Sequence, residues 1–344
     1  MARVGDFERF VFVVGAPRCG TTTIANFLKT HPSVSFPSVK EPHFFAHHDL
    51  RNHSQVDLEA RVERDYLGRF FRCESGRVVG ADASVTYLYT PEQMMPVLRL
   101  WPDARFVVAL RNPLHMLPSL HKRLIYLGDE TIHRFEDAWA AAPARAAGRR
   151  IPRGCVEPRW LRYHEAGRFG TYLERLFAAV GRDRCLVVVL DDLAADPPGQ
   201  YSKIMHFAGL VPAGQVSFDP QREGRDVRWP WLQRVLKRPP QRTRTFLAGE
   251  QFRQRERDLD RPDTVGKITE AVFAMRKKLL RWNRIPSRRE PLSTDLQREL
   301  ANYYEPEIRH LGVLVGRDFS EWLDAPQRAE ARHQALERVV YHGR

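Results

Sequence analysis

ERFVFVVGAPRCGTTTIANFLKTH, residues 8–31, is the stretch that decides the fold. It begins with a short apolar run, continues through a loop containing Gly15, Pro17 and Gly20, and ends in a helical apolar pattern. A loop that opens onto a helix N-terminus points several backbone N–H groups and the positive end of the helix dipole at one place. The stretch therefore predicts a strand, a loop and a helix that together bind an anionic group such as phosphate or sulfate.

The same loop argues against one large class of nucleotide enzymes. Gly15 and Gly20 have the spacing of a nucleotide P-loop, but Thr21 stands where the P-loop lysine should follow, and Arg18 is the only cation within the loop. Because nucleoside triphosphatases use that lysine to reach the β- and γ-phosphates, its absence argues against ATP or GTP hydrolysis while phosphate binding stays open. A plain strand-to-helix turn without a ligand is the alternative.

Apolar runs alternate with helical patterns along the first two thirds of the chain. The predicted strands lie within 8–15, 76–82, 104–111 and 184–192, and the predicted helices lie at 21–30, 57–72, 91–100, 113–127 and 159–180. This alternation predicts an α/β fold, a P-loop-like three-layer αβα arrangement with a central parallel sheet. Ligands of such sheets bind at the carboxyl ends of the strands, where Arg18, Asp82 and Arg111 fall.

The domain prediction is a single domain over residues 1–344, with three parts. Residues 1–214 form the α/β core with the anion site, 215–290 a basic insertion rich in loops and helices, and 291–344 a helical, Arg-rich C-terminal extension. Strand patterns fade after residue 210. Helices are predicted at 265–282, 294–312 and 325–338.

Composition limits the class of protein. No stretch approaches the ~18 apolar residues of a membrane span, and the apolar run before the loop is too short for a secretory signal, so a cytoplasmic protein is expected. The four cysteines are scattered and form no C-x-x-C pair, which disfavours a zinc site or a disulfide framework. Cys19 is interpreted as a small loop residue in preference to a reactive thiol.

Positive charge is concentrated in one segment. The net charge is +13, and residues 221–290 contain 20 Lys and Arg against 9 Asp and Glu. Such a block favours an anionic partner, for example an acidic polysaccharide or the inner surface of an anionic membrane, to which the protein would bind peripherally. Nucleic acid is disfavoured because no zinc-finger or RNA-binding signature is present. A solvated basic face without a partner is the alternative.

Two further motifs reveal a family resemblance. KEPHFF spans 40–45, and LRNP spans 110–113 with Ser119 shortly after it. Together with GAPRCGTTT they resemble the sulfotransferases that use 3′-phosphoadenosine 5′-phosphosulfate (PAPS), in particular the bacterial and heparan-sulfate carbohydrate branch. The likeness extends over nearly the whole chain except about 215–285.

The resemblance implies PAPS as the sulfuryl donor, with no metal, and roles for individual residues. Arg18, usually a lysine in the family, would lie against the 5′-phosphosulfate, and Arg111 and Ser119 would hold the 3′-phosphate. Arginine cannot donate its proton, so its help to the leaving group would be electrostatic. The remaining donor-binding residues implied are Cys19, Gly20, Thr21, Thr22, Thr23 and, in a loop that closes over the nucleotide, Arg288.

On the acceptor side, Glu41 matches the glutamate that carbohydrate sulfotransferases use as the general base. A carboxylate can accept the hydroxyl proton as the proton is shed in the transition state. His43 is the rival base, because histidine titrates near neutral pH. The acceptor predicted is a hydroxyl of a saccharide or glycoconjugate. Ala83 stands where heparan-type enzymes carry a lysine, so the acceptor is not expected to bind in the way that heparan does. A lipid or small-metabolite alcohol is the alternative acceptor.

Two other classes of function compete with sulfuryl transfer. Residues 186–192, LVVVLDD, look like a Walker B strand and would suit a P-loop kinase or NTPase, whereas the resemblance makes Asp191 and Asp192 caps of the next element. A non-catalytic protein that binds an acidic glycan or a membrane through 221–290 is the second competitor.

Overall fold

The computed structural model describes residues 2–72, 78–213, 218, 225–238, 267–286 and 291–323. The chain forms two compact units by the density of its contacts. The first unit comprises Met1–Pro113, Arg168–Gln221 and Gln297–Arg344, and the second comprises Leu114–Gly167 and Arg222–Leu296. The single domain with three parts stays a prediction.

A five-stranded parallel sheet forms the centre of the first unit. Its strands are β1 (Arg9–Val13), β2 (Val34–Ser35), β3 (Val79–Asp82), β4 (Arg105–Leu110) and β5 (Cys185–Val189). Their order across the sheet is β2, β3, β1, β4, β5, so that β1 lies between β3 and β4. The segments that leave the carboxyl ends of these three central strands therefore emerge side by side, which is where ligands of parallel sheets bind.

Helices flank the sheet and also make up the C-terminal part, as the sequence predicts. The helices are α1 (Thr21–Lys29), α2 (Phe44–His47), α3 (Gln55–Val62), α4 (Gly68–Phe70), α5 (Val97–Leu100), α6 (Pro113–Leu127), α7 (Phe135–Ala140), α8 (Ala142–Ala146), α9 (Tyr163–Ala166), α10 (Phe169–Val180), α11 (Leu190–Ala195), α12 (Pro197–Phe207), α13 (Pro230–Lys237), α14 (Lys267–Trp282) and α15 (Thr294–Val315). Within the described residues, none of these helices has the length and apolar character needed to cross a membrane.

The core of the first unit is aromatic and centres on β1. Phe10 and Phe12 are fully buried, with ring centroids 4.9 Å apart. Phe12 stacks on Phe106 of β4 at 5.6 Å, and Phe10 lies 4.3 Å from Trp101. Removing such large apolar side chains from water is the dominant stabilising contribution to a core of this kind.

Three predicted helices differ from those observed. The one predicted at 91–100 is a 3₁₀ turn, Pro91–Met94, followed by α5. The helix predicted at 57–72 is α3 and α4 joined by a wide π turn over Glu63–Leu67. The one predicted at 159–180 is divided into a short 3₁₀ turn, α9 and α10, with the breaks near Arg162 and Gly167. The helix predicted at 325–338 lies outside the described residues.

The second unit contains α6 to α9, α13 and α14, and a small antiparallel pair, β6 (Arg225–Val227) with β7 (Arg284–Pro286). A fully buried ion pair lies within it: both Arg145 Nη atoms donate to the Glu130 carboxylate at 2.7 Å. The hydroxyl of Tyr163 donates to the same carboxylate at 2.9 Å. The pair is thus hydrogen-bonded on several sides, as a buried charge requires.

Candidate functional site

The loop after β1 follows the neighbouring strand and then turns sharply into α1. The Val14 N–H donates to the Val107 carbonyl at 2.9 Å, and the Ala16 N–H donates to the Ala109 carbonyl at 3.0 Å. Gly20, with φ +83°, is the N-cap of α1, and its carbonyl accepts from Thr23 and Ile24. The first N–H groups of a helix have no acceptor within the helix, and this first turn contains no acidic residue. The free N–H groups and the positive end of the helix dipole are therefore available to an anionic ligand at this loop.

Two arginines add charge at the same place. Arg18 lies in the loop, and Arg111 follows β4 directly; both are half-buried. Burial raises the pKa of the Cys19 thiol to about 12, against the opposing influence of first Arg111 and then Arg18, while Asp191 adds a smaller upward contribution. Arg111 and Arg18 thus both act on this one buried thiol, which stays protonated at neutral pH.

These features fit a phosphosulfate group. A multiply charged anion would be bound here by two guanidinium groups, a helix N-terminus and the half-buried hydroxyl side chains of Thr22 and Thr23. Asp191 is a nearby negative charge that opposes binding of an anion. Thr21 is buried, with 5% of its surface exposed, so its contribution to a ligand would be its backbone N–H. Cys19 and Gly20 likewise offer backbone.

Glu41 and His43 form a second cluster, on the segment that follows β2. Glu41 contacts the ammonium of Lys40, and its Oε2 lies 3.7 Å from His43 Nε2. The other ring nitrogen of His43, Nδ1, is 2.9 Å from the Thr86 hydroxyl. The His43 ring is therefore oriented by Thr86 with its opposite edge towards the carboxylate.

A buried acid at the end of β3 anchors this cluster. Asp82 is fully buried and accepts hydrogen bonds from Ser84 at 2.7 Å, Tyr87 at 2.8 Å and Tyr66 at 2.9 Å. The Ser84 hydroxyl in turn accepts from the His43 backbone N–H at 3.0 Å. Burial raises the pKa of Asp82 to about 6 against these hydrogen bonds, and the nearby Glu41 carboxylate adds to the rise.

Sequence reasoning missed the residues that hold Glu41 and His43. Lys40 and Thr86 had no predicted role, and Tyr66 is positioned by a π turn that apolar periodicity does not reveal. The signal available was the polar content of residues 82–86 in an otherwise buried stretch. Ala83, the departure from the family pattern, is fully buried.

The remaining predicted residues are placed as follows. Ser119 lies in α6, which belongs to the second unit, and Arg288 lies outside the described residues. Asp191 and Asp192 occupy the first turn of α11, and Asp192 accepts from Arg317 at 2.5 Å. No group of three or more His, Cys, Asp or Glu that could hold a metal occurs among the residues that the structure describes.

A cavity of about 580 Å³ lies elsewhere in the first unit, lined by Arg9, His31, Val79 and Gly209 among others. Arg9 and Val79 begin β1 and β3, so this cavity is at the amino ends of the strands. Ligands of parallel sheets bind at the opposite ends. The cavity is therefore separate from the candidate site.

Comparison with known proteins decides the family. The model of the sulfotransferase family matches residues 11–212. The chain belongs to the sulfotransferase family. Two curated relatives are the bifunctional heparan sulfate N-deacetylase/N-sulfotransferase 4 of Mus musculus, 23% identical over 69% of this chain and 28% of the relative, and carbohydrate sulfotransferase 15 of Homo sapiens, 24% identical over 59% of this chain and 44% of the relative. The chain thus spans less than half the length of either.

A solved structure supports the fold of this sulfotransferase-family chain. The crystal structure of a sulfotransferase from Alicyclobacillus acidocaldarius has a TM-score of 0.59 and 22% identity, with 91% of this chain and 98% of that chain covered. The match confirms the predicted α/β fold with its parallel sheet.

Within the sulfotransferase core, unusual backbone conformation coincides with the candidate site. Among the described non-glycine residues, positive φ occurs at Arg18 (66°), Glu41 (63°), His43 (56°) and Arg150 (53°). This left-handed region is disfavoured for residues with a side chain and persists where the surrounding structure imposes it. Three of these four residues are those predicted to act in the reaction.

Proposed function

We propose that this chain transfers a sulfuryl group from PAPS to a hydroxyl of a saccharide or glycoconjugate. The observation that carries the proposal is that the cationic loop and the anchor of the carboxylate cluster follow from adjacent strands, β1 and β3. The cationic loop follows β1, and Asp82, at the end of the neighbouring β3, anchors the Glu41 and His43 cluster through Ser84. An anion site and a carboxylate beside it are the two parts that in-line transfer to an alcohol requires.

The donor would be held by the loop and by Arg111. Backbone N–H groups of residues 19–22, the Thr22 and Thr23 hydroxyls and Arg18 would bind the 5′-phosphosulfate, and Arg111 would bind the 3′-phosphate. PAPS, when bound, supplies the sulfuryl group. The role of Arg18 is to stabilise negative charge near the loop, because its guanidinium stays protonated.

Glu41 would accept the proton of the acceptor hydroxyl. Its Oε1 contacts Lys40 and its Oε2 faces the His43 ring, so the carboxylate is held in place on both sides. A positioned carboxylate of this kind contributes as a general base in the transition state. His43, fixed by Thr86 and Ser84, would orient Glu41.

The class of acceptor rests on the relatives. Both curated relatives named above are sulfotransferases of heparan sulfate or carbohydrate by name. That supports a saccharide hydroxyl here, with a lipid or small-metabolite alcohol as the alternative.

Isotope transfer tests the proposal. Purified protein is incubated with a saccharide and alcohol library and either ³⁵S-labelled PAPS or γ-³²P-labelled ATP, and the products are separated from the donors. We expect ³⁵S-labelled product only. Transfer from ATP alone would replace the proposal with a kinase, and no binding of adenosine 3′,5′-bisphosphate by calorimetry would favour a non-catalytic protein.

A further inference from the structure

Large apolar side chains are exposed on or beside α13 and α14 of the second unit. The three exposed tryptophans of the described residues all lie there: Trp229, Trp231 and Trp282 are 36%, 66% and 52% exposed. Val235 and Met275 are exposed by 47% and 58%. We define Trp229, Trp231, Val235, Met275 and Trp282 as the tryptophan surface.

Helical spacing explains how these residues are presented. Trp231 and Val235 are four residues apart on α13, and Met275 and Trp282 are seven apart on α14, so each pair shares a helix face. The rings of Trp229 and Trp282 have centroids 4.7 Å apart and join the two helices at one end.

Buried polar groups fix the two helices to each other. Asn283, fully buried, accepts from the Trp229 N–H at 2.8 Å and donates to the Trp229 carbonyl at 3.0 Å. At the other end of α13, the Leu236 carbonyl accepts from Arg276 Nε at 2.9 Å. The tryptophan surface is therefore held on a fixed helix pair.

Exposed cations accompany these apolar side chains in the same segments of the chain. Arg228 is exposed and lies over both the Trp229 and Trp282 rings, at 5.6 and 5.5 Å from their centroids. On α14, Lys277, Lys278 and Arg281 are exposed. Among the described side chains of 226–238 and 274–285, Asp226 is the only carboxylate, and it lies 3.9 Å from the Lys122 ammonium.

We propose that the tryptophan surface and its flanking cations dock onto an anionic lipid bilayer as a peripheral, interfacial contact. Tryptophan is favoured at the headgroup level of membranes, where its ring is buried and its N–H stays hydrated. Lysine and arginine beside it are attracted to anionic headgroups. This mixture of exposed tryptophans and cations matches such an interface in both polarity and charge. The docking proposal does not depend on the proposed catalytic function.

Flotation of the full-length protein with vesicles tests this docking, without donor or acceptor present. One set of vesicles is pure phosphatidylcholine, and the other contains about one part phosphatidylglycerol to two parts phosphatidylcholine. We expect binding to the anionic vesicles that weakens as salt is raised, because the headgroup charge is screened. Equal binding to both sets, or to neither, overturns the proposal.

Substitutions locate the contact. Lys277→Gln with Lys278→Gln should weaken anionic-vesicle binding about 25-fold, at roughly fivefold for each charge. Trp231→Ala should weaken it about tenfold through loss of interfacial burial. The matched controls lie in the first unit: Lys29→Gln with Lys203→Gln, which are exposed lysines, and Tyr303→Ala, an aromatic residue that is 44% exposed. Equal effects of test and control variants contradict this location.

Self-association is the competing explanation of an exposed apolar surface, and sedimentation velocity distinguishes it. A monomer that binds anionic vesicles supports the proposal. A dimer that Trp231→Ala dissociates, with no vesicle binding by the parent protein, identifies a second copy of the chain as the occupant and overturns it.

Discussion

Individual residues at the candidate site are held in conformations that their side chains do not favour. Glu41 and His43 both have positive φ, and His43 is the N-cap of the short α2. Its backbone N–H donates to Ser84 and its ring meets Thr86, so two contacts from the segment after β3 hold it. Substitutions here should preserve shape, because β-branched residues are strongly disfavoured at positive φ.

Glu41→Gln preserves the shape of the side chain and removes its ability to accept a proton. We expect kcat to fall by about 10²-fold or more while PAPS affinity changes little, since the interaction lost belongs to the transition state. Steady-state kinetics with calorimetric binding of adenosine 3′,5′-bisphosphate measure both effects.

His43→Asn is the companion variant. If His43 only orients Glu41, its loss should lower kcat less than Glu41→Gln does. Full turnover in Glu41→Gln together with an inactive His43→Asn would assign the base to His43 instead.

At the level of elements, the turn from loop to α1 depends on Gly20. Its φ is +83°, and a Cβ there would lie 2.9 Å from Leu190 Cδ1 and 3.1 Å from Leu193 Cδ2 of α11. Gly316, after α15, has φ +71° and open space around the same position. The two glycines therefore share backbone strain but differ in contact.

Gly20→Ala should lower the free energy of unfolding by more than Gly316→Ala does. Both variants place alanine in the left-handed region, which costs about 1 kcal/mol. Only Gly20→Ala also forces the ends of the Leu190 and Leu193 side chains to shift, which adds a cost of about 1 kcal/mol. Urea denaturation measures the difference. Equal losses would mean that Leu190 and Leu193 move aside freely.

The segment after β3 predicts a pH dependence of stability. The pKa of Asp82 is about 6 in the folded protein, against an ordinary value of 3.8 in the unfolded chain. As pH rises, the unfolded chain therefore loses this proton at a lower pH than the folded protein does. The contribution of Asp82 to the free energy of unfolding is therefore present in full below about pH 4 and declines as pH rises through 6, by about 3 kcal/mol in all.

Asp82→Asn removes this titration. The difference in free energy of unfolding between the parent protein and Asp82→Asn should fall between pH 4 and 7, measured by denaturant titration at each pH. A difference that stays constant over this range would show that Asp82 does not change its protonation there.

The elements that sequence reasoning predicted well are those with long apolar periodicity. β1, β4 and β5 and the helix at 113–127 lie within the predicted ranges, and the convergence of Arg18, Asp82 and Arg111 follows from the strand order. β2 was missed because it has two residues among serines and prolines. The contacts of Glu41 with Lys40 and His43 were missed because they depend on backbone conformations, such as positive φ, that no residue pattern specifies.

For the molecule as a whole, charge and chemistry are distributed unevenly between the two units. Arg18, Glu41, His43 and Arg111 belong to the first unit. The 20 Lys and Arg of residues 221–290 all belong to the second unit, which also contains the fully buried pair of Glu130 and Arg145. The stability of the second unit therefore includes an ionic contribution in its interior.

Glu130→Gln should lower the free energy of unfolding by about 3–5 kcal/mol, because it leaves Arg145 charged and buried without a counterion. Replacing both residues, Glu130→Leu with Arg145→Met, should cost less than Glu130→Gln or Arg145→Met alone. Denaturant titration of the three variants measures this, and a double variant less stable than both single variants would contradict it.

The strand order also governs when in folding the site can form. Arg9 of β1 pairs with Val79 of β3, so the strand that carries Asp82 joins its partner only after a long stretch of intervening chain has been brought back. Closing such a loop is costly in entropy and slows folding. A chain emerging during synthesis therefore gains the anchor of its carboxylate cluster when β3 docks, but the carbonyls that hold the anion loop belong to β4, and Arg111 follows β4, so the donor site should be completed last in time.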